Sequence, residues 1–260
     1  MTTPVNGVLL ALLLTWVFTP IAMLIVRALA ESWRFPQIWP EPAAVSSALV
    51  APASGRVISA FATSLGLAAL TGLLGAILGF ALARTSASSN SRYRQLTLAA
   101  AFFIVIAPPI ALGVGLQVTL LAFGVGGTFV GVLLAHLVPA TGYLTLFAAG
   151  VFASLDRSLE DEARTLGASR WQVLSRVLVP LLERRFREAL ILGALVSWAQ
   201  LALTLVIGGG LVRTLPLELL SLIQSGDDRI AAMAALLLSA PPIVGIGLLT
   251  MGVRRTGASL

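Results

Sequence analysis

The chain of 260 residues contains no cysteine and no lysine, and charged residues make up only 11% of it. Without cysteine there is no disulfide, no thiolate nucleophile and no thiolate ligand for a metal. Without lysine there is no Walker A motif, in which a lysine contacts the nucleotide phosphates. We therefore expect no ATP-hydrolysing loop of this kind. No other motif in the sequence indicates a catalytic residue, a metal site or a bound cofactor, and we expect none in this chain.

Apolar side chains dominate the chain, since hydrophobic residues form 58% of it and the mean hydropathy is +0.97. An average globular protein has about 25% charged residues, and a soluble fold of this composition would expose large apolar patches. The sequence therefore predicts an all-α polytopic membrane protein in contact with lipid. The net charge of +6 comes from arginines dispersed among apolar stretches, so we expect no nucleic-acid partner.

Long uncharged stretches predict the membrane-crossing helices. Each crossing needs about 20 predominantly apolar residues, and the chain has enough for six within one membrane domain over residues 1–260. A glycine-rich turn at 124–128 separates the third crossing from the fourth, and proline pairs predict a kink in the third and the sixth. The predicted spans are residues 8–28, 57–83, 96–123, 129–153, 188–209 and 230–252.

The first span and the distribution of arginine decide the predicted topology. Residues 28–30 resemble a signal-peptidase site, but no basic residue precedes the apolar run, which is longer than in a signal peptide. We therefore predict that the first helix is retained. Arginines concentrate in segments 84–94, 157–187 and 254–255. Because arginine is enriched in cytoplasmic loops, these segments and both termini are predicted to be cytoplasmic.

The most strongly charged stretch, residues 155–187, lies between the fourth and fifth predicted spans. Gly167 is expected to end a first helix in the left-handed conformation, and Ser169 with Gln172 matches a capping box that starts a second. Pro180 is expected to limit that second helix. A helix–turn–helix with apolar faces beside a membrane bundle is typical of a docking surface; a structural loop packed on its own bundle is the alternative.

The spacing around Gly167 carries a family resemblance. The triad Asp161-Glu162-Ala163 is followed after three residues by Gly167, and then, after nine more, by a Val-x-Val-Pro sequence that ends at Pro180. This resembles the Glu-Ala-Ala, Gly and Ile-x-Leu-Pro pattern in the permeases of binding-protein-dependent ABC importers. The six-helix plan extends the resemblance over nearly the whole chain. Because Asp161 replaces Glu and Glu162 replaces Ala, either carboxylate could take the role of the family's Glu.

The resemblance implies a coupling segment, residues 155–187, that inserts into a groove on a cytoplasmic ATPase. It also implies two cytoplasmic ABC ATPase subunits that carry ATP and Mg²⁺, a second permease subunit (identical or homologous) and an extracytoplasmic substrate-binding protein. The implied location is a bacterial-type inner membrane. The residues expected to couple to the ATPase are Asp161, Glu162, Ala163, Arg164, Leu166, Gly167, Trp171 and Pro180.

Polar residues inside the predicted spans are candidates for a substrate path. Ser197, Gln200 and Thr204 recur at i, i+3 and i+7, which places them on one face of a continuous helix. The alternative is helix–helix hydrogen bonding, which such side chains provide in membrane bundles; for His136 a packed, hydrogen-bonded role is favoured. The full candidate set is Gln117, His136, Ser197, Trp198, Gln200 and Thr204.

Together these features predict the permease subunit of an ATP-driven importer, which forms half of the substrate pathway. A stand-alone secondary transporter or channel is the alternative. That class commonly uses acidic side chains within its spans, and this sequence has none well inside a predicted span. Residues 214–217 loosely resemble those of permeases for polyamines, ferric iron, thiamine or oxyanions rather than for sugars.

Overall fold

The computed structural model describes residues 4–31, 33, 36–41, 52–88, 91–156 and 158–254, and all the elements within them are helical. The all-α prediction is therefore confirmed for this part of the chain. In chain order the elements are α1 (Pro4–Ala28), α2 (Pro52–Ser88), α3 (Ser91–Ile106), α4 (Pro109–Ala122), α5 (Phe129–Ala153), α6 (Ser158–Thr165), α7 (Arg170–Gln172), a π-helical segment (Val173–Leu178), α8 (Val179–Trp198), α9 (Leu201–Gly208), α10 (Leu215–Ser225) and α11 (Asp228–Arg254).

Within the described ranges, four helices are long and apolar enough to cross a membrane, and the number rises to six if each of two bent pairs is one span. Predicted spans 8–28, 57–83, 129–153 and 230–252 each fall within a single helix. Predicted spans 96–123 and 188–209 do not. The first is α3 followed by α4 at a bend of 107°, and the second includes the junction of α8 and α9, bent by 59°.

The break between α3 and α4 occurs at Pro108 and Pro109, neither of which has an amide hydrogen. Ala107 N–H still donates to Phe103 O, and the next turn begins with Leu112 N–H donating to Pro108 O. Pro109 is the first residue of α4, where the missing donor costs nothing. The proline pair at residues 241–242, by contrast, lies inside the continuous α11.

The break between α8 and α9 involves neither proline nor glycine. Ala199 has φ −85° and ψ 0°, and Gln200 leaves the helical region with ψ 79°. Ala199 N–H donates to Leu195 O, and Gln200 N–H to Ser197 O, which closes the last turn of α8. The path of the chain therefore changes direction at a position that local propensity does not mark.

The chain divides into two compact units, one of residues 1–63 with 213–247 and the other of residues 64–212 with 248–260. The second unit has a core of buried side chains from α2, α4, α5, α9 and the segment that follows α9. The predicted glycine turn joins α4 to α5 there, with Gly124 and Gly127 at positive φ and Gly127 N–H donating to Ile207 O. The core residues are Leu67, Leu120, Val132, Ala135, Leu203, Ile207 and Val212.

Glycines in α2 let its backbone touch two neighbouring helices of the same unit. A Cβ atom on Gly72 would lie 2.6 Å from Leu190 O in α8, and one on Gly79 would lie 2.7 Å from both C and Cβ of Leu144 in α5. Gly193 in α8 is similarly close to Gly72. Small residues allow such close packing in membrane bundles, where the hydrophobic effect does not drive helices together.

Ion pairs connect the helices of the first unit. Arg56 Nε lies 3.0 Å from Glu218 Oε1, and the Glu218 side chain in α10 is only 4% exposed. Arg27, at the end of α1, pairs with Asp228 at the start of α11, and Arg229 Nε donates to Ala28 O. A carboxylate as buried as that of Glu218 is stable only when it is paired. The ion pair with Arg56 therefore links the start of α2 to α10.

Candidate functional site

The turn after α6 has the geometry that the sequence predicts. Gly167 has φ +87°. Its N–H donates to Arg164 O, and Ala168 N–H donates to Ala163 O. These two bonds form a Schellman motif, which requires a residue in the left-handed conformation at the position of Gly167. The glycine at this position therefore determines the angle at which the chain leaves α6.

Both helices at the turn are capped by side chains. The predicted box is present at α7, where Ser169 Oγ accepts from Gln172 N–H and Gln172 Oε1 accepts from Ser169 N–H. Ser158, whose spacing to Asp161 also fits a capping box, is instead the first residue of α6, and its N–H donates to Asp156 Oδ1 over 2.9 Å. This hydrogen bond lowers the pKa of the Asp156 carboxyl.

Pro180 does not limit the second helix, so that prediction is wrong. The chain from Arg170 to Trp198 is one helical stretch, and the π-helical segment lies just before the proline. Val179 N–H donates to Leu174 O, five residues back. The wider turn changes the spacing of carbonyls ahead of Pro180, which has no amide hydrogen to donate. The proline is therefore accommodated at the second position of α8.

Most of the predicted coupling residues are exposed. Leu166 is 88% and Trp171 72% exposed, although both are large and apolar. Asp161 and Glu162 are also exposed, as are Arg164, Gly167 and Pro180, whereas Ala163 is half-buried. The structure thus brings exposed acidic and apolar side chains together around the α6–α7 turn.

The sequence pattern missed the third acid of α6. Glu160 accepts two hydrogen bonds from Arg84 at the end of α2, with Nη1 to Oε1 at 2.8 Å and Nη2 to Oε2 at 2.5 Å. Its side chain is 12% exposed. Arg84 also lies over the ring of Phe152, with its Cζ 5.8 Å from the ring centroid. The sequence shows that Arg84 and Glu160 are charged, but it does not show that they form a pair.

His136 joins the two helices that flank the α8–α9 break. From α5, its Nδ1 lies 2.8 Å from Ser197 Oγ in α8, and its Nε2 lies 3.0 Å from Thr204 Oγ1 in α9. Thr204 donates its hydroxyl hydrogen to Gln200 O over 2.7 Å. The proton between His136 and Thr204 therefore belongs to Nε2, and Nδ1 accepts from Ser197. All three side chains are buried.

Gln200 faces a different environment from Ser197 and Thr204. The break in the helix removes the continuous face on which these three residues were expected to lie. Gln200 lines a cavity of about 260 Å³ together with Pro108, Pro109, Pro139 and Tyr143. Both helix breaks therefore border the same cavity, and none of its lining residues is charged.

The remaining two path candidates lie apart from this cavity. Gln117 in α4 donates from Nε2 to Val206 O in α9 over 3.2 Å, which is a helix–helix hydrogen bond. Trp198 is buried at the end of α8. Of the six predicted path residues, the structure places Gln200 on a cavity and uses His136, Ser197, Thr204 and Gln117 in bonds between helices.

Comparison with known proteins places this architecture in a family. Residues 75–256 match the family described as binding-protein-dependent transport system inner membrane component. The spermidine/putrescine transport system permease protein PotC of Haemophilus influenzae is 24% identical over 230 residues, 86% of either chain. The putrescine transport system permease protein PotI of Escherichia coli K12 is 30% identical over 113 residues, which are 43% of this chain and 40% of PotI.

A solved structure shares the fold. A chain of a bacterial ABC transporter involved in the import of the acidic polysaccharide alginate superposes with a TM-score of 0.72 at 15% identity, covering 96% of this chain and 94% of that one. The family match spans well over half of this sequence, including both helix breaks and the α6–α7 turn. The chain therefore belongs to the family of inner-membrane components of binding-protein-dependent transport systems, the permease subunits of ABC importers.

Proposed function

We propose that the α6–α7 turn is the coupling segment of this permease and docks into a groove on a cytoplasmic ATPase subunit. The observation that carries the proposal is the exposure of Leu166 and Trp171 at the tip of a charged segment outside the spans. Burial of a large apolar side chain contributes about 1.5–3 kcal/mol. A partner that covers both residues would gain that free energy and explain their exposure in the isolated chain.

The acids of α6 give the docking surface its specificity. Asp161 and Glu162 are exposed beside the apolar tip, and we assign them to basic groups of the ATPase. Charge complementarity of this kind fixes orientation and excludes incorrect partners more than it adds affinity. Leu166 and Trp171 would then supply burial, while the carboxylates determine how the ATPase is seated.

The complete importer contains further subunits in this proposal. Two ATPases carry ATP and Mg²⁺ on the cytoplasmic side, where both termini of this chain lie, and a second permease completes the pathway across the inner membrane. An extracytoplasmic binding protein delivers the substrate. ATP can drive the cycle only because it binds one conformation of the assembly more tightly than another. Closure of the ATPases would move the coupling segments and reopen the pathway toward the outside.

The cavity at the two helix breaks is the proposed contact of this chain with its substrate. Its polar side chains include Gln200 and Tyr143, which form hydrogen bonds without adding charge. Broken helices with a cavity between them are a common plan for transporter binding sites. A path lined in this way suits a permease whose substrate is selected by the binding protein rather than by charge within the membrane.

Replacement of Gly167 with valine tests the coupling assignment. At φ +87° a β-branched residue is strained by about 1–3 kcal/mol, which the turn can relieve only by changing its angle. We expect the Gly167→Val importer to lose bound ATPase and substrate uptake. Co-purification of the ATPase with the tagged permease and uptake into proteoliposomes would measure the two effects.

The matched control is Gly167→Asn, because asparagine adopts the left-handed conformation more readily than other non-glycine residues. It should retain most of the bound ATPase. Normal ATPase association and transport in Gly167→Val would contradict the assignment of the turn to coupling. ATP-independent uptake by vesicles that contain this chain alone would instead support the secondary-transporter hypothesis.

A further inference from the structure

We propose that the ion pair between Arg84 and Glu160 transmits movement of the coupling segment to the inner end of α2. The inference rests on the proposed docking of the α6–α7 turn and adds two positioning residues to it. Neither residue belongs to the Asp161–Glu162–Ala163 triad. Glu160 lies in the first turn of α6, and Arg84 lies near the last turn of α2.

The geometry of the pair is suited to transmitting force and direction. Nη1 of Arg84 donates to Oε1 of Glu160 at 2.8 Å, and Nη2 donates to Oε2 at 2.5 Å. Two parallel hydrogen bonds fix the relative orientation of two groups, whereas one bond leaves rotation free. The side chains are 33% and 12% exposed, respectively, so water screens this pair less than it screens a surface pair.

Arg84 also contacts one ring of an aromatic cluster that joins α2, α5 and α8. Its guanidinium lies over Phe152 of α5. The Phe80 ring in α2 meets Phe152 edge-on at 6.0 Å and Phe186 of α8 at 5.5 Å. A rotation of α6 that pulls Glu160 therefore acts on a residue that is anchored to the membrane-crossing part of the chain.

A cavity lies beside the ion pair. The cavity of about 580 Å³ is lined mainly by apolar side chains of α2 on one side and of the π-helical segment and α8 on the other. Arg84 and Phe152 form part of its wall. The bidentate ion pair thus joins α6 to α2 beside a region in which α2 is separated from the π-helical segment and α8.

The experiment uses the complete importer, purified and reconstituted in proteoliposomes with its binding protein. Glu160→Gln and Arg84→Gln remove one charge each and keep the side-chain size, and the double variant removes both. The measurements are ATPase content, ATP hydrolysis and substrate molecules transported per ATP. We expect each single variant to retain its ATPase subunits but to transport about ten-fold less substrate per ATP, as for a typical coupling between sites.

The double variant should have the same transport ratio as either single variant, because residues in one contact are not additive. The control is Arg92→Gln, which removes an exposed arginine in nearby α3 and should leave the ratio unchanged. An unchanged ratio in both single variants would overturn the proposal. So would an equal fall of transport and ATP hydrolysis, since a purely structural role lowers both together.

The variants Gly167→Val and Glu160→Gln distinguish an error in the docking assignment from an error in the role of the ion pair. If the α6–α7 turn does not dock an ATPase, Gly167→Val will retain its ATPase subunits and transport normally. If only the ion-pair inference is wrong, Gly167→Val will lose the ATPase while Glu160→Gln keeps both the ATPase and the wild-type ratio of substrate to ATP.

Discussion

Replacement of Gly79 with alanine is expected to destabilise the protein by about 1–3 kcal/mol, the usual cost of an overpacked core. The new Cβ atom would lie 2.7 Å from both C and Cβ of Leu144, and 3.0 Å from Thr145 N. Two of these neighbours are backbone atoms in α5, so the contact cannot be relieved by turning a side chain. The helices must move apart, which breaks packing along the α2–α5 contact.

The thermal unfolding midpoint in detergent gives the direct measurement. Gly150→Ala is the matched control, because Gly150 is also in a membrane-crossing helix and a Cβ atom there meets no atom within 4 Å. Alanine is favoured over glycine inside a helix by about 1 kcal/mol, so this control should be neutral or more stable. Gly79→Ala is thus expected to lower the midpoint, whereas Gly150→Ala leaves it unchanged or raises it. A midpoint that does not fall in Gly79→Ala would contradict the close approach of α2 and α5.

Replacement of His136 with leucine is also expected to have a large effect on stability and uptake. The imidazole hydrogen-bonds to Ser197 of α8 and to Thr204 of α9 and so joins the two helices. Without it, the buried Ser197 hydroxyl loses its hydrogen bond, while Thr204 keeps its bond to Gln200 O. An unsatisfied buried polar group costs about 1–3 kcal/mol. We expect a lower unfolding midpoint and slower uptake, because the break that positions Gln200 is no longer fixed.

A combined variant separates these two consequences. Removal of both partners of a buried hydrogen bond is much less costly than removal of one. His136→Leu with Ser197→Ala and Thr204→Val should therefore regain part of the lost stability. It should not regain uptake, because the hydrogen bonds that joined α8 to α9 through His136 are still absent. A wild-type midpoint and wild-type uptake in His136→Leu alone would contradict the assigned network.

Local chemistry accounts for the features that could be predicted from the sequence. Gly167 ends α6 at positive φ, and Ser169 with Gln172 caps α7, because each depends on residues within one helical turn. The four spans without a break follow from uninterrupted apolar stretches. The turn between α4 and α5 follows from its glycines, which adopt backbone conformations that other residues avoid.

Features that depend on distant residues could not be predicted in this way. Arg84 and Glu160 are separated by 76 positions, and only the folded chain shows that they meet. The bend at Ala199–Gln200 has no proline or glycine to mark it, and it is bordered by hydrogen bonds to His136 from another helix. Pro180 shows the reverse error, because a strong local signal for a helix end was overridden by the π-helical segment.

The π-helical segment divides one continuous helical stretch into two halves that face different surroundings. One extra residue in a turn shifts the phase of every preceding side chain by about 100° around the helix axis. The half after Val179 is phased to pack within the bundle, and the half before Val173 is phased to present Trp171 to solvent. The angular position of the proposed docking surface is thus set independently of the packing of α8, so that either could change over evolution without disturbing the other.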